Sequence, residues 1–340
     1  MNKSSIASSR IRVGVVGFGK MGLLHAGILN ALADCSVVAI CEKDLLVRKL
    51  ARTFLKNVHF YNEVSEMMSN ENLDAIYVTT PISTHGAITS EITRTNKVGL
   101  FVEKPLAESA ATGQTMADSA DHLGITNMVG YQKRFSPSFK RAKSLIQEET
   151  LGEIRLFKAY SFVSAVFARG KGWRFECGQG GSLVDLGSHL LDLLLWYFGE
   201  PYRARARLIS IHSSAVDDYA SGVLEFKQGL VGQFDVSWSM PGYRLPETKI
   251  EIYGEHGKIV LSDDYLELIS SGGRSPLRSQ RFDRPELYSG VDFLLGDPEY
   301  CVENEHFLQS LRDGNPAEPN FESAVQVNRL IDMMLREKGD

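Results

Sequence analysis

The chain lacks the features that would mark it as secreted, membrane-bound or built around a metal. Its 340 residues include only four cysteines, Cys35, Cys41, Cys177 and Cys301, with no C-x-x-C pair. That scatter supports neither a disulfide framework nor a zinc site; no metal cluster is expected, and reduced thiols in a cytoplasmic protein are the simplest reading. No apolar run is long enough to span a bilayer. No hydrophobic segment follows the weakly basic start MNKSSIASSR, so a secretory signal is not expected. A basic excess is missing too: 37 Lys and Arg stand against 42 Asp and Glu, for a net charge of −5. Nucleic acid and membrane are therefore poor candidates for a main partner. There is no internal repeat and no low-complexity tract. What remains is an ordinary globular composition, 43% hydrophobic and 23% charged, in a chain long enough for two domains.

The first third alternates strand and helix. IRVGVVG (11–17) reads as a strand, Lys20 to about Ala33 as a helix, and SVVAIC (36–41) as a second strand. A helix through DLLVRKLARTFLK, the strand DAIYVTT (74–80), a helix from Ser83 and the strand VGLFVEK (98–104) follow. Strands separated by helices predict a parallel sheet with helical crossovers. Beyond Gln132 the pattern changes. After a helix near 137–149, alternating runs are joined by glycine-bearing turns: YASGVLEF to VGQFDVSW, and TKIEIYG to KIVLSD. These predict antiparallel hairpins. Two helices, about 299–312 and 321–337, close the chain. The expected architecture is α/β: a Rossmann doubly wound parallel sheet over 10–130, then an α+β domain over 131–340 with a large, mostly antiparallel open sheet.

Gly17-Phe18-Gly19-Lys20-Met21-Gly22 forms G-x-G-x-x-G between the first strand and the first helix. Gly17 permits the tight turn, Gly19 lets the backbone approach a pyrophosphate, and Gly22 lets helix and strand pack closely. The helix N-terminus offers unpaired N–H groups to the phosphates. Glu42 ends the second strand, where a carboxylate binds both ribose hydroxyls and repels a 2′-phosphate, so NAD is expected over NADP. A solvated strand-end acid is the alternative reading of Glu42, and Lys43 beside it tempers the preference for NAD.

Two further stretches carry candidate chemistry. In FVEKPLAES (101–109), Glu103, Lys104 and Pro105 fall at the carboxyl edge of a parallel sheet, where ligands sit. A lysine there either polarises a substrate oxygen or is simply a solvated charge. GSLVDLGSHLLDLLLWYFG (181–199) is a leucine-rich helix interrupted by Asp185, His189 and Asp192. On a helical wheel these three lie within roughly 60° of one another, a single polar stripe on an oily helix. Such a stripe needs a polar cavity, a ligand or matched partners. His189 could take a proton near neutrality, since an ordinary imidazole titrates at about 6.5. Asp185 could orient the substrate hydroxyl or only complement the helix dipole. Asp192 could bind substrate or pair with Arg203 or Arg205. Trp173-Arg174, in the loop-like RGKGWRFECGQGG, is a candidate cover for the substrate.

VGVVGFGKMG, TTPISTH (79–85), EKP and the D-x-x-x-H-x-x-D helix occur in that order. In this the chain resembles the Gfo/Idh/MocA family of NAD(P)-dependent oxidoreductases over essentially all of residues 10–340. The resemblance implies that Lys104 is catalytic, that His189 is its acid/base partner and that Asp185 contacts the reactive hydroxyl. It implies that Asp192 binds substrate and that YQKRFSP (131–137) brings Arg134 toward it. Thr80, Pro81 and His85 would line the cofactor, with Glu103 and Lys104 at its edge. The open sheet would make a homodimer or homotetramer.

The expected activity is hydride transfer between NAD and a secondary alcohol of a sugar, sugar derivative or polyol, inositol-like in character. Carboxylates on the stripe favour a neutral, hydroxyl-rich substrate. Two rivals share the fold: a non-catalytic NAD-binding sensor, and an enzyme that uses tightly held NAD for redox-neutral sugar chemistry.

Overall fold

The computed structural model describes residues 10–95, 97–168, 175, 180–270, 272–278 and 298–336. The chain divides into two compact units, one drawn from residues 1–130 and 282–325, the other from 131–281 and 326–340.

The first unit contains a six-stranded, all-parallel sheet in the order β3-β2-β1-β4-β5-β6. Its strands are β1 (Ile11–Val16), β2 (Cys35–Cys41), β3 (His59–Tyr61), β4 (Ala75–Val78), β5 (Gly99–Val102) and β6 (Asn127–Val129). Its helices are α1 (Lys20–Ala31), α2 (Leu45–Phe54), α3 (Val64–Asn70), α4 (His85–Thr95) and α5 (Ala110–Leu123). β1 and β4 are buried almost throughout, as strands covered on both faces must be. The strand order reverses between β1 and β4, and the loops that leave their carboxyl ends open the crevice where such sheets bind ligands. The alternation anticipated β1, β2, β4 and β5, while β3, β6, α3 and α5 were not foreseen. β3 is three residues long and partly exposed, too short to show a period. Burial in the sheet pushes the Cys35 and Cys41 thiols up to about 12, which keeps them protonated and inert.

The second unit contains an eight-stranded sheet in the order β14-β13-β12-β11-β7-β10-β9-β8. Its strands are β7 (Ile154–Phe162), β8 (Arg203–Ile209), β9 (Tyr219–Glu225), β10 (Val231–Ser237), β11 (Glu247–Gly254), β12 (Gly257–Ser262), β13 (Tyr265–Ser270) and β14 (Gly273–Arg278). Only β7 and β10 run parallel; the other neighbours are antiparallel, including the expected hairpins β9–β10 and β11–β12. Helices α6 (Pro137–Gln147) and α7 (Ser188–Phe198) lie on one face, over Phe157, Ala159, Phe234, Ile250, Ile252 and Ile259. The alternate residues of β7 and β11 form the other face, where Tyr160 and Phe162 stack at 4.6 Å beside Tyr243.

Two helices complete the described chain: α8 (Glu299–Asp313) and α9 (Phe321–Arg336). The sequence reading kept 131–340 together, yet α8 belongs to the first unit and packs on α1. Its buried Asn304 meets His25 of α1, and Arg312 pairs with Asp34. Among the described residues, no helix is long and apolar enough to cross a membrane.

Candidate functional site

The two units each carry part of the expected chemistry. In the first, the loop after β1 is built around its glycines. Gly17 has φ +86°, and a Cβ on it would lie 2.6 Å from Thr80 Cγ2; one on Gly22 would lie 2.1 Å from the Gly17 carbonyl oxygen. Those two glycines are required by the protein's own packing. Gly19 is different: a Cβ there would meet nothing within 4 Å. Its lack of a side chain preserves open space at the start of α1, whose first turn has neither a side-chain cap nor an acidic residue. A pyrophosphate fits that cradle, with backbone N–H groups facing it. Phe18 is buried, while Lys20 is exposed.

Glu42 follows β2 and accepts hydrogen bonds from the Phe18 N–H at 2.6 Å and the Asp44 N–H at 2.8 Å. It is therefore more than a solvated strand-end acid, because it ties the glycine turn to the segment that would face a ribose. Thr79 Oγ1 donates to the Gly17 carbonyl at 2.7 Å and joins the loops after β1 and β4.

The loop after β4 is held to the loop after β5 by His85. Its Nε2 lies 2.9 Å from the Thr80 carbonyl oxygen, and its Nδ1 lies 3.1 Å from that of Pro105. The ring is 1% exposed, so His85 braces the loops from inside, where the sequence suggested a cofactor contact. Thr80 is half-buried and Pro81 exposed on the same loop. Glu103 also turns inward: it is 6% exposed and bonded to His25 at 2.8 Å. Lys104 follows at once, half-buried, and its bond to Pro105 is cis.

Burial depresses the His85 pKa below the ordinary imidazole value, outweighing the carbonyl oxygens that would stabilise the cation. In the unfolded chain this imidazole titrates at about 6.5. Below that pH the unfolded state binds more protons than the folded one, so stability falls with acidification. His85 thus contributes stability that is fully present above about pH 6.5 and is lost as pH drops toward its lower folded value. The melting temperature is expected to decline from about pH 7.5 to 5.5, and less steeply in His85→Gln, as read by calorimetric scans. Asp218 does not confuse that window. Burial raises its carboxyl, but bonds from Ser213, Trp238 and the His212 N–H outweigh this and hold it at about 2.

In the second unit the polar stripe opens on a π-helical turn, Leu183–Gly187, that runs directly into α7. The α-helical wheel assumed from the sequence therefore applies only from Ser188 onward. Such wide turns recur at functional sites. Asp217 secures the start: its Oδ2 accepts from Ser182 Oγ at 2.6 Å and from the Leu183 N–H at 2.9 Å. Gly181, at φ +107°, has no room for a side chain, since a Cβ would lie 2.3 Å from Asp217 Oδ1. Nothing in the sequence singled out Asp217, which acts from 35 residues downstream.

Asp185 is half-buried on the π turn, and His189 is 7% exposed, with the ring of Tyr131 edge-on at 6.0 Å. Asp192 is 1% exposed and is gripped by Arg134, Nε to Oδ2 at 2.8 Å and Nη2 to Oδ1 at 2.6 Å. The Arg134 guanidinium lies 5.6 Å from the Trp196 ring centroid. Arg134 and Asp192 were both expected to bind substrate; the structure pairs them with each other. Arg203 and Arg205, the partners considered for Asp192, lie on β8 instead. Trp173 and Arg174 lie outside the described residues.

A parallel sheet in the order 3-2-1-4-5-6, a three-glycine cradle and an acid after the second strand define a dinucleotide-binding unit of the Rossmann class. Comparison with known proteins agrees. A family profile described as "Oxidoreductase family, NAD-binding Rossmann fold" matches residues 11–131, and the "GFO/IDH/MocA C-terminal domain" matches 139–260. The chain belongs to the Gfo/Idh/MocA family.

Among its curated relatives is the scyllo-inositol 2-dehydrogenase (NADP(+)) IolW of Bacillus subtilis, 25% identical over 97% of this chain and 94% of that one. The scyllo-inositol 2-dehydrogenase (NAD(+)) of the same organism is 25% identical over 90% of this chain and 87% of that one. A solved structure of levoglucosan dehydrogenase with NADH and levoglucosan shares the fold, with a TM-score of 0.85. It is 21% identical, and the match covers 96% of this chain and 97% of that one.

Proposed function

We propose that the protein is an NAD-dependent dehydrogenase that oxidises a secondary alcohol of a polyol or sugar, with inositol-like rings as the leading substrate class. One observation carries the reading: Lys104 leaves the same sheet edge as the glycine cradle, on a loop that His85 ties to Thr80. A cation at that edge suits an alcohol oxygen whose negative charge grows as its carbon is oxidised. The names of the relatives supply the substrate class.

NAD, when bound, supplies the two-electron hydride acceptor. Gly17, Gly19, Gly22 and the start of α1 would hold its pyrophosphate, and Glu42 its ribose. In the first unit Lys104 is the candidate donor of a hydrogen bond to an alcohol oxygen; in the second, His189 is the candidate for taking a hydroxyl proton and Asp185 for orienting a hydroxyl. The carbinol carbon thus gives up a hydride and its oxygen a proton, which leaves a ketone. Two relatives of equal identity differ in cofactor, so the choice rests on this chain's own Glu42. Oligomerisation through the open face of the eight-stranded sheet belongs to the same reading, supported by the aromatic group of Tyr160, Phe162 and Tyr243. So does a cytoplasmic location.

A panel of inositols, monosaccharides and anhydro sugars, offered with NAD and with NADP, tests the proposal through absorbance of the reduced cofactor. Turnover is expected with at least one cyclitol or sugar, and with NAD preferred. Glu42→Ala is expected to raise KM for NAD and to shift preference toward NADP. Silence across the panel, with NAD still bound, would overturn the dehydrogenase reading; unchanged preference in Glu42→Ala would remove Glu42 from cofactor selection.

A further inference from the structure

Behind Lys104 lies a polar group that the reaction does not use. His25 of α1 and Asn304 of α8 are both 0% exposed, and Glu103 is 6% exposed. Phe101, Tyr77 and Tyr300 surround the His25 ring, with centroids at 4.9, 5.5 and 6.0 Å. Three polar side chains set among aromatic rings are a poor way to gain stability, because apolar replacements of similar volume are often neutral or better.

The contacts lead toward Lys104. Asn304 Nδ2 donates to the Tyr300 carbonyl at 2.6 Å, and His25 Nδ1 lies 3.0 Å from that nitrogen and 3.2 Å from Asn304 Oδ1. Whichever amide atom Nδ1 pairs with, Nε2 faces a carboxylate oxygen, which only accepts, and donates to Glu103 Oε1 at 2.8 Å. The other carboxylate oxygen, Oε2, accepts the backbone N–H of Lys104 at 3.1 Å. The imidazole and the lysine's own peptide N–H thus both donate to Glu103, whose carboxylate links the two.

We infer that Asn304, His25 and Glu103 form a positioning relay that fixes the Lys104 main chain, and with it the origin of the lysine side chain. The inference rests on Lys104 being the catalytic cation of the proposed reaction. It gives Glu103 a task other than touching the cofactor, and it explains a histidine eight residues beyond Gly17 that the glycine motif does not require. His25 touches neither substrate nor cofactor in this role; it acts through Glu103.

The test compares His25→Leu, which keeps an apolar volume but no donor, with His25→Gln, whose amide nitrogen can replace Nε2. Hydrogen–deuterium exchange at the Lys104 amide, resolved by fragmentation of the 101–107 peptide, reads the relay directly. Exchange is expected to quicken by roughly tenfold or more in His25→Leu and to stay within about threefold of wild type in His25→Gln. With scyllo-inositol and NAD, kcat is expected to fall by about tenfold or more in His25→Leu while both KM values hold, with recovery in His25→Gln. Asn304→Ala supplies the same comparison should His25→Leu fail to fold. Slow Lys104 exchange and undiminished kcat in a folded donor-less variant would overturn the relay. Lys104→Ala run alongside separates the two ideas: if it keeps turnover, the catalytic reading fails, while the exchange rates still decide the relay.

Discussion

Replacing Lys104 by alanine is expected to lower kcat by roughly 10²–10³-fold while the Kd for NAD changes by no more than about threefold. The magnitude follows from its place. A charge that stabilises growing negative charge on oxygen acts in the transition state more than in the ground state, so its loss appears in kcat. The nucleotide cradle is built from the loops after β1 and β4, which keep their glycine packing and the Thr79 bond without the lysine side chain. His189→Ala is expected to share the kcat defect without the loss of NAD affinity. Stopped-flow hydride-transfer rates, paired with calorimetric NAD titration, check both variants. Near-wild-type turnover in either would remove that residue from the mechanism.

The second large effect concerns stability. Arg134→Ala leaves the 1%-exposed Asp192 carboxylate without the guanidinium that holds both its oxygens. Breaking one side of a buried pair costs roughly 3–5 kcal/mol, and urea unfolding is expected to show it. The double variant Arg134→Leu/Asp192→Leu is expected to recover most of that loss, since neither charge then remains buried. If Arg134 and Asp192 served substrate instead, Arg134→Ala would raise KM and leave unfolding nearly unchanged.

That pair marks a limit of reading the sequence alone. The stripe of Asp185, His189 and Asp192 was legible because polar residues in a leucine-rich helix break a strong pattern. The partner of Asp192 was not, because it comes from a short 3₁₀ turn, Gln132–Phe135, 58 residues upstream. The π turn under Asp185 was also invisible, since residue type does not separate i→i+5 from i→i+4 bonding. The glycine cradle could be read because each glycine has its own steric reason, now seen at Gly17 and Gly22 as near-clashes and at Gly19 as open space. Glu103 and His85 were placed at the right edge of the sheet but not on the right side of it. Motif position indicates which loop a residue occupies, whereas its direction depends on what the core offers, here His25 for one and three carbonyl oxygens for the other.

The return of α8 to the first unit has a consequence for how the protein is made. His25 and Asn304 are 279 residues apart in sequence, and the Val129 N–H donates to the Pro319 carbonyl. A ribosome therefore releases the whole parallel sheet well before the helix that completes its interior exists. At about 5–20 residues per second the wait is on the order of ten seconds or more. During that interval the aromatic pocket around His25 lacks Tyr300 and Phe307. The nucleotide-binding unit is thus the first to begin, yet it cannot close until nearly the whole chain has been made.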